Sequence, residues 1–64
     1  MIHVNGVERN GAGLSLDALL ASMDIEARGV AVAVNGEIVS RSRWADTIVS
    51  DHSSVEIVTA AAGG

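Results

Sequence analysis

The chain has 64 residues and a formal net charge of −4, from eight acidic residues against four arginines with no lysine. That length holds one domain, which buries only about 60% of the surface its unfolded chain exposes, and without cysteine it has neither disulfides nor thiolate metal sites to staple it. No basic run could follow a phosphate backbone, no apolar run approaches the roughly eighteen residues of a membrane span, and no basic-then-apolar leader opens the chain, so neither nucleic acid nor membrane is expected as a partner and the expected location is cytoplasmic.

Ile2 and Val4 flank His3, and Asn5-Gly6 leads into Val7, Glu8 and Arg9. Asn-Gly between β-formers predicts a hairpin, because both central positions of a type I′ turn require positive φ. Asn10-Gly11-Ala12-Gly13 follows. It lacks the three spaced glycines of a dinucleotide fingerprint and the Gly-Lys pair of a P-loop, and reads as a connecting loop. Ser15 is placed to cap a helix, Asp17 puts negative charge in its first turn, and Leu16, Leu19, Leu20 and Met23 recur on one face. A helix of about two turns has little stability of its own, so this stripe is expected to pack on a sheet.

Asp24 to Gly29 forms a polar connection ending in a break. Val30-Ala31-Val32-Ala33-Val34 then alternates without interruption, with three valines facing the helix and two alanines on a thinly covered face, which predicts a central strand. Asn35-Gly36 predicts a second hairpin, into Glu37-Ile38-Val39. In the irregular segment that follows, Arg41 and Arg43 are candidates to meet an anion but fit a solvated face better. Trp44, the only aromatic residue, is expected to cover the edge of the core with its indole N–H satisfied locally. Ile48 and Val49 are expected to return to the core. Asp51-His52-Ser53-Ser54 reads as a turn, and Val55 to Thr59 as the last strand, with Val55, Ile57 and Thr59 on one face. The layout is α+β, with strands of one sheet packed on one helix.

Beyond Thr59 the chain reads Ala60-Ala61-Ala62-Gly63-Gly64, without a bulky or charged side chain. Fully extended, five residues reach about 16 to 18 Å, enough to enter a partner's active site. Glycine has no Cβ to shield the terminal carbonyl carbon. The division is therefore a folded domain over 1–59 and a flexible tail over 60–64. His3, His52 and the scattered acids form no nucleophile–base–orienter set and no metal-ligand spacing. No catalytic residue is assigned, no metal or bound cofactor is expected, and the chain is read as a non-enzyme.

The element order resembles the ubiquitin-like β-grasp fold: a mixed sheet of four or five strands on one helix with a C-terminal tail. Val30 to Val39 with its Asn35-Gly36 turn, then Arg41-Ser42-Arg43-Trp44-Ala45, then Val55-Glu56-Ile57-Val58 ahead of Gly63-Gly64, is similar to the ThiS family of sulfur carrier proteins of thiamin biosynthesis. Two departures lie in loops: Ser40 stands where the family usually has proline, and Asp51-His52-Ser53 replaces its usual Asp-Gly-Asp turn. The resemblance implies that an E1-like, ThiF-type enzyme uses ATP to adenylate Gly64. A sulfur donor system then makes the thiocarboxylate, and a ThiG-type thiazole synthase receives the sulfur. Gly63, Ala62 and Ala61 would thread into the partners' active sites. The alternatives are a carrier like the small subunit of molybdopterin synthase, whose members usually carry prolines before the diglycine, and a ubiquitin-like protein modifier.

Overall fold

The computed structural model describes residues 1–26 and 28–59. Its strands are β1 (Ile2–Val4), β2 (Val7–Arg9), β3 (Val30–Val34), β4 (Glu37–Val39) and β5 (Ser54–Thr59). One helix, α1, spans Leu16–Ser22, and a 3-10 helix spans Arg41–Asp46. The strands form one mixed sheet in the order β2-β1-β5-β3-β4. Asn5-Gly6 and Asn35-Gly36 make the tight turns expected of them, with φ of 51° at both asparagines and of 83° and 86° at the glycines that follow. The hairpins β1–β2 and β3–β4 are antiparallel. They meet only through β5, which runs parallel to β1 and antiparallel to β3. The valine strand is thus interior as expected, but the centre of the sheet is β5.

Ser15 caps α1, its hydroxyl accepting from the Ala18 N–H at 3.2 Å. Leu16, Leu19 and Leu20 are buried with Ile2, Val4, Val32, Trp44, Val49 and Val55 in a single core, and Met23 and Ile25 pack against its margin. Each such side chain contributes about 1.5–3 kcal/mol by leaving water. Trp44 is only 1% exposed, and its indole N–H donates to the Val39 carbonyl at 2.9 Å. That bond ties the 3-10 helix to the end of β4.

Ile48 corrects the sequence reading, since it is 58% exposed while Val49 is fully buried. The reason lies in a short antiparallel bridge between Ser15 and Ile48, fixed by bonds from Gly13 N–H to Val49 O and from Val49 N–H to Leu14 O, both 2.8 Å. An extended backbone alternates its faces, so seating Val49 in the core turns Ile48 to solvent.

Candidate functional site: the open sheet face and the strand that ends beside it

The helix covers one face of the sheet, and among the described residues no element covers the other. Alternation assigns the inner face to Val30, Val32 and Val34 of β3 and to Val55 and Ile57 of β5. Ala31, Ala33, Ser54, Glu56 and Val58 therefore lie on the outer face. The register places Ala31 opposite Val58, and Ala33 opposite both Ile38 and Glu56. Ile38 is 75% exposed and Val58 61% exposed. The two alanines, low-profile side chains, sit between β4 and β5 and leave a shallow apolar strip flanked by an isoleucine and a valine, with Glu56 beside it. Thr59 pairs with Val30 at the end of this strip, so the strip leads to the point where the chain continues toward 60–64.

Beside the strip, the free edge of β4 and the 3-10 helix enclose a groove of about 380 Å³ lined by Glu37, Ile38, Val39, Ser40, Arg43 and Thr47. The Thr47 hydroxyl donates to the Arg43 carbonyl at 2.7 Å and fixes that wall. Among the described residues neither Arg41 nor Arg43 joins an ion pair. Both are exposed, as the solvated-face reading expected, and stand open to an anionic partner surface.

At the opposite end of β5, the N-terminal ammonium donates to the Asp51 carboxylate. Asp51 also accepts from the His52 N–H at 3.1 Å. The ammonium's hydrogen bond is the main cause that holds the Asp51 carboxyl below the usual carboxylate range; slight desolvation opposes it, and the nearby His52 adds to the lowering. His3 and His52 belong to no common site, and among the described residues no cluster of three or more His, Cys, Asp or Glu could hold a metal ion. The residues on which the sequence reading placed the chemistry, Gly64 with Gly63, Ala62 and Ala61, lie outside the described residues. The exposed strip was the feature that reading left unassembled: its alternation was visible strand by strand, but Ala31 and Val58 become neighbours only through the order of the strands.

The ThiS family model matches residues 2–64. The chain belongs to the ThiS family. A solved relative, the thiamine biosynthesis protein ThiS from Geobacter metallireducens, superposes with a TM-score of 0.82 at 33% identity, over 98% of this chain and 97% of that one. Its solution structure gives 0.77 at 31% identity, over 98% and 86%. These likenesses carry the β-grasp expectation through, with five strands rather than four. The sulfur carrier protein ThiS of Escherichia coli is 38% identical over 53 residues, 83% of this ThiS-family chain and 80% of its own length. A thiazole synthase from Paramagnetospirillum magneticum is 42% identical over 62 residues, which are 95% of this chain but 19% of that protein. The chain therefore spans about a fifth of the thiazole synthase it matches. No described helix is long and apolar enough to cross a membrane.

Proposed function

We propose that this ThiS-family chain is a sulfur carrier for thiamin thiazole formation, acting as a substrate-like protein rather than an enzyme. The observation that carries the reading is the family match, which runs through residue 64 and so includes the diglycine. An α-carboxylate is an anion at neutral pH and a poor electrophile, so transfer requires activation. The Gly64 carboxylate oxygen attacks the α-phosphorus of ATP on an E1-like, ThiF-type partner, and pyrophosphate leaves. Sulfur supplied at the oxidation level of sulfide displaces AMP and leaves a thiocarboxylate, which a ThiG-type thiazole synthase consumes. ATP belongs to the activating partner, and the carrier itself binds no cofactor. Gly63, Ala62 and Ala61 form the narrow part that threads, while Ala31, Ala33, Ile38 and Val58 give a partner a fixed surface beside the tail's origin. The thiazole synthase relative supports that choice of recipient, because a segment similar to 95% of this chain occurs within it.

Intact mass after incubation with ATP, the activating enzyme and a sulfur source tests the reading. The expected product carries sulfur in place of one terminal oxygen. Deleting Gly64 moves the carboxylate back by about 3.3 to 3.6 Å, beyond the tolerance of a reaction whose atoms must lie about 3 to 3.5 Å apart. Adenylation should collapse while the melting temperature holds. A Gly64-deleted chain that gained sulfur at the parental rate would overturn the proposal.

A further inference from the structure

The reactive Asn-Gly dipeptide occurs three times in the sequence. Asn10-Gly11 lies in a connecting loop where a Cβ on Gly11 would come within 2.6 Å of the Ile2 side chain, whereas the other two share one turn geometry and differ in how the fold holds their asparagines. Asn5-Gly6 and Asn35-Gly36 have equal asparagine φ, 51°, and glycine φ of 83° and 86°. The Asn5 carboxamide is engaged at both atoms: its Nδ2 donates to the Ile57 carbonyl at 3.2 Å and its Oδ1 accepts from the Ile57 N–H at 2.8 Å. The Asn35 carboxamide is engaged at one, its Oδ1 accepting from the Ser54 N–H at 2.9 Å. Among the described residues its Nδ2 has no hydrogen-bond partner. A Cβ built on either glycine would meet nothing within 4 Å, so the space around both turns is open to water.

We propose that Asn35-Gly36 is a site of spontaneous succinimide formation, and that the fold withholds the same chemistry from Asn5-Gly6. Hydroxide removes the Gly36 amide proton, and the nitrogen attacks Asn35 Cγ, forming the ring C–N bond. Nδ2 takes a proton from solvent and leaves as ammonia. Water then adds to one of the two ring carbonyls and reopens the ring, giving aspartate or isoaspartate at position 35. No oxidant or reductant takes part. Glycine favours the attack because no side chain shields its nitrogen.

At Asn5, turning Cγ toward the next nitrogen breaks two hydrogen bonds to β5, and Nδ2 cannot depart without giving up its acceptor. At Asn35 one bond is broken and the leaving group is free. The difference amounts to about one net hydrogen bond, which corresponds to roughly five- to tenfold in rate. Isoaspartate at position 35 would run the main chain through the former side chain. The Val34–Glu37 pair could then not keep its register, and Ala33 and Ile38 on that hairpin would shift.

The test is ageing of the intact chain in mildly alkaline buffer, followed by cleavage after arginine. Cuts at Arg9, Arg28 and Arg41 place Asn5 and Asn35 on different peptides, and chromatography resolves aspartate from isoaspartate. In the folded protein Asn35 should convert roughly five- to tenfold faster than Asn5; in denaturant the two rates should converge. Equal or reversed rates in the folded chain would overturn the proposal. So would a ratio that survives denaturation, which would place the cause in the neighbouring residues, or a folded chain in which neither site reacts although both do when unfolded.

Discussion

His52 holds φ 69°, in the left-handed region where a Cβ crowds the following carbonyl. It lies in the turn where Asp51-His52-Ser53 stands in place of the Asp-Gly-Asp that the resemblance led one to expect, and there the His52 N–H donates to the Met1 carbonyl at 2.9 Å and the Ser53 N–H to the Ser50 carbonyl at 3.1 Å. Histidine tolerates the region better than most residues but not as well as glycine. His52→Gly should therefore stabilise the chain by about 0.5–1 kcal/mol, after its added freedom in the unfolded state is set against the relieved strain. A urea midpoint at or below the parental one would contradict this. Next to it, Asp51 gives a pH signature. Its carboxyl lies below the usual range in the folded chain, so its contribution is fully present above the unfolded value, near about 4, and disappears as pH falls through the folded one. Asp51→Asn should lower the melting temperature at neutral pH, and its curve should meet the parental curve at the acid end. Parallel curves over the whole range would show that the ammonium pairing adds nothing.

The elements follow from local signals at most places where those signals are strong. Both Asn-Gly turns, the Ser15 cap, the Leu16-Leu19-Leu20 stripe and the uninterrupted valine alternation appear where the sequence put them. The exceptions are instructive. Arg41–Asp46 is helical because Trp44 must reach both the core and the Val39 carbonyl, a tertiary demand without a local period. Ile48 faces out because its neighbour Val49 sits in the core and the extended backbone alternates its faces. Nothing in Asn5 or Asn35 announced their second role. Each side chain bonds β5 from the turn: the Asn5 carboxamide stands in for one more peptide unit of β1, and Asn35 brackets Ser54 with its own N–H and its Oδ1. Asn5→Gly keeps the turn's positive φ and removes two hydrogen bonds, so it should cost about 1–2 kcal/mol. Asn35→Gly removes one side-chain bond and should cost about half as much. Equal losses, read from urea midpoints, would mean that the side-chain bonds to β5 are not what the turns contribute.

At the scale of the whole molecule, the proposed function gives charge and apolar surface different expected parts in meeting a partner. On the proposed function, the net charge of −4 should act at long range on the association rate, and the strip of Ala31, Ala33, Ile38 and Val58 on contact. Ile38→Glu should weaken capture by the activating enzyme about tenfold or more, because it places a carboxylate in a contact that must lose water. With 75% of Ile38 already in solvent, the melting temperature should barely move. Unchanged capture would remove the strip from the interface. Raising salt should slow association without changing the dissociation rate.

The placement of β5 between the hairpins also governs how the chain reaches its fold. β1 and β5 are paired residues more than fifty positions apart, as in His3 with Ser54, so the central ladder closes a loop of nearly the whole domain. Until Ser54–Thr59 arrives, each hairpin is a two-stranded ribbon, marginal in water, with the edge that β5 will occupy still open. Pairings of such high sequence separation are slow to form, so folding should be limited by capture of β5 rather than by either hairpin or the helix. Substitutions in β5, such as Val55→Ala, should then slow refolding, while equally destabilising ones in β2 should mainly speed unfolding. The open edges of the waiting hairpins are the same kind of surface that seeds aggregation, which makes the arrival of one six-residue strand the step that decides between a working carrier and a precipitate.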